Sequence, residues 1–153
     1  MSIIDGVMVL DATLRDGGLV NDFFFPDDFA RAVYLANIAA GVDCMEFGYR
    51  ADRKQFDPDK FGPWKFTSDE DIRKVIGTTK SKMKASIMVD VGRCDYENDI
   101  HPKKESPVDI IRVATYIDAI PEAIRMIEYA DRMGYETTCN IMAVSRCSFE
   151  QLK

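Results

Sequence analysis

Short apolar segments and helical segments alternate along this chain, and that alternation limits the fold more than any other feature. Cys44 to Tyr49 (CMEFGY), Lys84 to Val91 (KASIMVDV), Ile110 to Ile117 (IIRVATYI) and Glu136 to Val144 (ETTCNIMAV) read as strands. Val7 to Leu14 (VMVLDATL) reads as another, ending at Gly17-Gly18. Between them, a helix is expected from Pro26 to Ala40, with Phe29, Ala32, Val33, Ala36 and Ala40 on its inner face and Gly41 as its stop. A second is expected to start at the overlapping capping boxes Thr67-x-x-Glu70 and Ser68-x-x-Asp71 and to end near Ile76. A third runs from Pro121 to Met133, with Ala123, Ile124, Ile127 and Ala130 inward. Residues 93 to 109 read as loop. Strands that alternate with helices make a parallel sheet with right-handed crossovers. The strands look apolar almost throughout, as expected when both faces are covered.

Two architectures fit: an open doubly wound sheet, or part of a (β/α)8 barrel. A barrel needs roughly 250 residues, and this chain has 153. The C-terminus argues against the open sheet. Ser148-x-x-Gln151 is a capping box that announces a helix, and the sequence ends at Lys153. So short a helix buries almost nothing. The chain therefore reads as the first five βα units of a barrel, cut inside the fifth.

The charge pattern narrows the partners. The net charge of -6 and the absence of a basic tract argue against nucleic acid or an anionic membrane. No run approaches the ~20 apolar residues of a membrane span. Met1 to Asp11 carries no basic region or cleavage site of a secretory leader, so a cytoplasmic protein is expected. Cys44, Cys94, Cys139 and Cys147 form no CxxC pair and read as reduced, mostly buried thiols.

Chemistry concentrates at two strand ends. Asp11, Arg15 and Asp16 crowd the end of the first strand beside Gly17-Gly18. Glu46 lies inside the apolar second strand. Charge in such places is costly unless paired or bound to something. In parallel α/β folds, ligands bind at that end of the sheet. The plain alternative is a buried Arg15–Glu46 ion pair with no further role. A small flavodoxin-like phosphate binder is a third option, but Leu-Val-Asn-Asp-Phe after Gly17-Gly18 suits phosphate poorly. Gly17-Gly18 is no dinucleotide fingerprint either.

DATLRDGG, completed by Glu46 in MEFG, resembles the metal-dependent pyruvate aldolase and lyase superfamily. That superfamily includes 4-hydroxy-2-oxovalerate aldolase, hydroxymethylglutaryl-CoA lyase, isopropylmalate synthase and homocitrate synthase. The branch with LRDGG followed by an Asn (Asn21), and with GPWKF (Gly62 to Phe66) before an acidic helix start, is the most similar. The resemblance runs along the whole chain as the N-terminal portion of a TIM-barrel catalytic domain. It implies an enzyme that makes or breaks a carbon–carbon bond next to a 2-oxo acid. Asp16 would be a ligand to Mg²⁺ or Mn²⁺. Arg15 would face the enolate oxygen and bind substrate. Glu46 would orient Arg15 and the waters around the metal. The family's remaining metal ligands, a His-x-His pair, would lie beyond Lys153, and this part alone would be inactive. The histidine base that some members carry after RDG is absent; Gly18, Leu19, Val20 and Asn21 stand there.

Tyr116 and Asn140 are assigned to substrate contact by their position at strand ends, and Asp90 has the same positional claim. Each is also an ordinary hydrogen-bonding position. Arg50 and Asp52 read as a solvated loop pair, His101 as a loop residue, and Trp64 with Phe61 and Phe66 as cover for a barrel helix. The expected partners are a small 2-oxo acid or aldehyde and further copies of the chain. Self-association follows from the strand edges and apolar surface that half a barrel leaves uncovered. The alternative is a non-catalytic binding or assembly domain derived from the same family.

Overall fold

In a computed structural model, residues 6–153 are described, so the first five residues of the Met1 to Asp11 segment lie outside the description. Five parallel strands form one curled sheet in the order β1-β2-β3-β4-β5. They are β1 (Leu10–Asp11), β2 (Cys44–Tyr49), β3 (Lys84–Asp90), β4 (Ile110–Thr115) and β5 (Glu136–Ile141). The helices are α1 (Thr13–Gly17), α2 (Asp27–Ala40), α3 (Asp69–Ile76), α4 (Tyr96–Asp99) and α5 (Ile120–Arg132). Sequential order without a switch point is the signature of a barrel, here the first half of one.

The first strand departs from expectation. Among the described residues only Leu10 and Asp11 of this segment pair with β2 as strand, and Thr13 to Gly17 turn into a short helix. Asp11 starts that turn. Its carboxylate accepts from the Thr13 amide at 3.2 Å and from the Thr13 hydroxyl at 2.7 Å. Such local bonds compete with strand pairing. The segment between β3 and β4 is also less irregular than expected, since it holds α4 and a 3-10 turn at Lys103–Glu105.

One helix buries a face other than the expected one, and a second departs from expectation at one position. In α2 the fully buried residues are Ala30 and Tyr34, flanked by Val33 and Ile38, whereas Phe29, Ala32, Ala36 and Ala40 face outward. In α5 Ala123, Met126 and Ala130 are buried while Ile124 is exposed. Small residues such as Ala fit either face of a helix, so composition alone places the stripe loosely. The start of α3 is as expected. Ser68 Oγ accepts from the Asp71 amide, and Asp71 accepts from the Ser68 amide, closing the capping box. Ser148 and Gln151 make the same reciprocal pair before a 3-10 turn at Glu150–Leu152.

The two faces of the sheet differ, which corrects the reading of uniformly apolar strands. Register places Glu46, Ser86, Ile110 and Glu136 in one row, and Met88, Arg112 and Thr138 in another, all on one face. That concave face is largely polar. Met45, Phe47, Ala85, Ile87, Val89, Ile111 and Val113 point the other way and are buried. Polar side chains inside a barrel need partners within it, and the concave face supplies several. Lys84 reaches Glu136 at 2.6 Å, and Arg112 reaches Glu46 at 2.9 Å.

The core beside β2 is built by close approach. A Cβ on Gly48 would stand 2.1 Å from the Trp64 carbonyl oxygen and 2.4 Å from Thr67 Oγ1. The missing side chain lets the Pro63–Phe66 segment lie directly on the strand. Trp64 is fully buried against Phe47, and its Nε1 donates to the Phe25 carbonyl at 3.0 Å. It is thus a core residue with a satisfied donor. Among the cysteines only Cys44 is fully buried, and Cys139, on edge strand β5, is exposed. Burial pushes the Cys44 and Cys94 thiols up to about 12, so neither is a ready nucleophile.

Candidate active site

The helical turn of α1 inserts Leu14 into the core and turns Arg15 and Asp16 toward the ends of the strands. Arg15 Nε donates to Glu46 Oε2 at 2.8 Å, and Arg15 Nη1 donates to Asp16 Oδ1 at 2.8 Å. Arg112, one strand further on, donates from Nη1 to the same Glu46 Oε2 at 2.9 Å. Glu46 is completely buried, whereas the Asp16 side chain is 62% exposed. The three residues expected to form the site therefore do meet. The bond between Arg15 and Glu46 is also the ion pair of the plain alternative.

More is present than one ion pair. Glu46 Oε1 is buried and has no hydrogen-bond partner among the described residues. Arg15 Nη2 makes no hydrogen bond to a described residue, and neither do Nε and Nη2 of Arg112. One buried carboxylate thus fixes two guanidinium groups and leaves donors unused. Fixed, forked donors in a partly buried place suit a carboxylate ligand.

Tyr49 joins the cluster through a bulge. Glu46 and Tyr49 are three residues apart and would face opposite sides of a regular strand. The register between β2 and β3 shifts between them, so Tyr49 lies opposite Met88 on the Glu46 side. Its hydroxyl accepts from Arg15 Nη1 at 3.4 Å. Burial raises its phenol above the usual range, against the pull of Arg15. Tyr49, Asp90, Arg93, Thr115, Tyr116 and Met142 line a cavity of about 180 Å³ beside the arginines.

Tyr116 lines this cavity and is half exposed. Asn140 sits on the concave face opposite Ala114, but its amide oxygen accepts from Thr138 at 3.3 Å and it does not line that cavity. Arg50 is a correction. It is buried, not solvated, and pairs with Asp69 at 2.5 Å rather than with Asp52. His101 lines a separate surface cleft with Arg50 and Asp99, so it stands apart from the Arg15 cluster.

Sequence reading missed Arg112, Tyr49 and Lys65. Arg112 carried a signal: it is a charge inside an apolar strand, like Glu46. Tyr49 carried none, because nothing local announces the bulge. Lys65 is only 7% exposed, with its ammonium over the rings of Phe23, Tyr49, Phe56 and Phe61.

Asp16 offers one hard oxygen donor at the mouth of the half barrel, the donor type that Mg²⁺ or Mn²⁺ prefers. Among the described residues, no three His, Cys, Asp or Glu side chains cluster as a metal site. These residues alone do not fit a complete metal centre.

No protein-family profile matches the chain. It is 24% identical over 150 residues to 4-hydroxy-2-oxovalerate aldolase 6 of Rhodococcus jostii, covering 97% of this chain and 41% of that protein. A crystal structure described as the "N-terminal domain of a putative aldolase" from Bacteroides vulgatus superposes with a TM-score of 0.73 at 25% identity. That match covers 95% of this chain and 48% of the other. The chain thus spans less than half the length of both proteins, and its similarity to them is that of an aldolase-like N-terminal half barrel.

Proposed function

We propose that this chain carries part of the active site of a divalent-metal-dependent aldolase or lyase that acts on a 2-oxo acid. The observation that carries the reading is the Glu46 cluster: a buried carboxylate that holds Arg15 and Arg112 and leaves their other donors free beside the exposed Asp16. The unused donors would take the substrate carboxylate and the oxygen on which negative charge develops. Glu46 would keep Arg15 in place without neutralising all of its donors. A Mg²⁺ or Mn²⁺ ion would act as a Lewis acid, with Asp16 as one ligand and the others from outside these 153 residues. Carbon–carbon lyase activity would accordingly need the complete barrel.

The test is calorimetric titration of Mn²⁺ into the complete barrel, with and without pyruvate, for the wild type and Asp16→Ala. Binding that pyruvate strengthens and the substitution removes supports the reading. Mn²⁺ binding indifferent to Asp16 overturns it.

A second reading, a non-catalytic binding or assembly domain, draws on the lack of a three-ligand cluster among the described residues. It predicts that 2-oxo acids bind through the arginines equally well with and without metal.

Self-association is part of the proposal. Val7, Met8 and Val9 beside β1, and Ile141, Val144, Phe149 and Leu152 at and after β5, leave apolar surface exposed at both ends of the sheet. A cytoplasmic location is also proposed. Among the described residues no helix is long and apolar enough to cross a membrane.

A further inference from the structure

Asp90, the last residue of β3, faces the concave side and lines the cavity shared with Tyr49 and Tyr116. Its Oδ1 is buried with no hydrogen-bond partner among the described residues. A carboxylate oxygen in that state is costly unless something else meets it. Lys65, Arg93 and Arg15 surround it electrostatically, yet none forms an ion pair with it. Lys65 is the nearest in effect. Its Nζ lies 4.4 Å from the Phe56 ring centre, 4.6 Å from Tyr49, 5.0 Å from Phe23 and 5.8 Å from Phe61. It makes no hydrogen bond to a described residue. The cage is costly to build, since Asp22 and Phe23 both take left-handed backbone angles (φ 53° and 66°), with Asn21 bracing the turn.

We propose that Asp90 is the proton-transfer residue of this site and that Lys65, fixed by the aromatic cage, is a nearby cation that tunes its charge. This rests on the aldolase reading above. The Asp90 carboxylate takes a proton from the methyl carbon of a bound pyruvate-like acid. The electron pair of that C–H bond becomes the carbon–carbon double bond of the enolate. The carbonyl π pair moves onto oxygen, beside Arg15. In the reverse direction the Asp90 carboxylic acid returns the proton to carbon. The one histidine of this sequence lines another cleft and does not face the cavity. Burial raises the Asp90 carboxyl above the usual range, against the opposing pull of Lys65, Arg93 and Arg15. A carboxylate whose proton affinity is raised is a stronger base than an ordinary one. Tyr49 and Tyr116 are the other titratable groups facing it.

Two measurements test this. Carbon-13 NMR of the metal-free 153-residue chain follows the Asp90 carboxyl with pH. It is expected to titrate above the usual aspartate range, and higher still in Lys65→Met, which removes a cation. Titration with the bulk aspartates overturns the assignment, and an unmoved midpoint in Lys65→Met overturns the part given to Lys65. In the complete barrel with Mn²⁺, exchange of pyruvate methyl protons for deuterium is followed for the wild type and Asp90→Asn. A loss of about 100-fold or more with pyruvate binding retained supports the proposal. Exchange by Asp90→Asn at the wild-type rate overturns it while leaving the aldolase reading intact. No exchange by the wild type overturns both.

Discussion

Two arginine–carboxylate clusters sit within a few residues of each other, and they are finished to different degrees. Around Arg50 each guanidinium nitrogen has a partner: Nε donates to the Thr67 carbonyl, Nη1 to the Asp99 carbonyl and Nη2 to Asp69. The cluster ties β2 to α3 and to the end of α4, and it is almost closed to solvent. Around Glu46 two arginines crowd one carboxylate oxygen, the other oxygen has no partner among the described residues, and Asp16 stands open to water. A saturated cluster holds the fold, since any ligand would have to displace a bond already made. An unsaturated one, held rigid from behind, can accept something else. Burial of the central residue does not separate the two, because Glu46 and Arg50 are both buried. The count of unused donors and acceptors does.

That contrast breaks first at Arg50. Arg50→Met is expected to cost about 3–5 kcal/mol in urea unfolding, because it strands Asp69 and two carbonyls. A cost under about 1 kcal/mol would erase the distinction. Glu46→Gln is expected to cost less, about 2 kcal/mol, since the amide oxygen still accepts from one or both arginines. The same change should weaken pyruvate binding by loosening Arg15. Ser68→Ala should cost about 1 kcal/mol by uncapping α3, which carries Asp69.

Lys65 sharpens the comparison through pH. Burial lowers its ammonium below the usual lysine range, with Asp90 opposing the shift and Arg93 adding to it. Between that lowered value and the ordinary one, the unfolded chain binds more protons than the folded chain, so wild-type stability rises with pH across the window. Any stability advantage of Lys65→Met should therefore shrink as pH rises toward the ordinary lysine value. Asp16→Ala should change stability least, by under about 0.5 kcal/mol, while removing Mn²⁺ binding. A large stability loss there would make Asp16 a structural residue.

Only part of this contrast was legible one residue at a time. Glu46 and Arg15 stand out because charge in an apolar segment requires an explanation, and the capping box at Ser68 is a local signal. Arg112 met the same criterion as Glu46 and was passed over. Arg50 was misread because its partners lie 17 to 49 residues away. The first strand was misread because the side chain of Asp11 redirects the backbone at Thr13. The Lys65 cage depends on rings from three separate stretches of chain, and no periodicity in the sequence encodes that.

The irregularity in β2 has one more consequence. It turns Tyr49 toward Arg15 and the next residue, Arg50, toward Asp69. One added or deleted residue at Gly48 would reverse both assignments together, sending the phenol to the structural side and the guanidinium to the ligand side. Substitutions at these two positions can accumulate separately, but a change of length there cannot. The strand therefore sets a reading frame for the site, and in a lineage that keeps the site the distance from Glu46 to Arg50 should vary less than the residues between them.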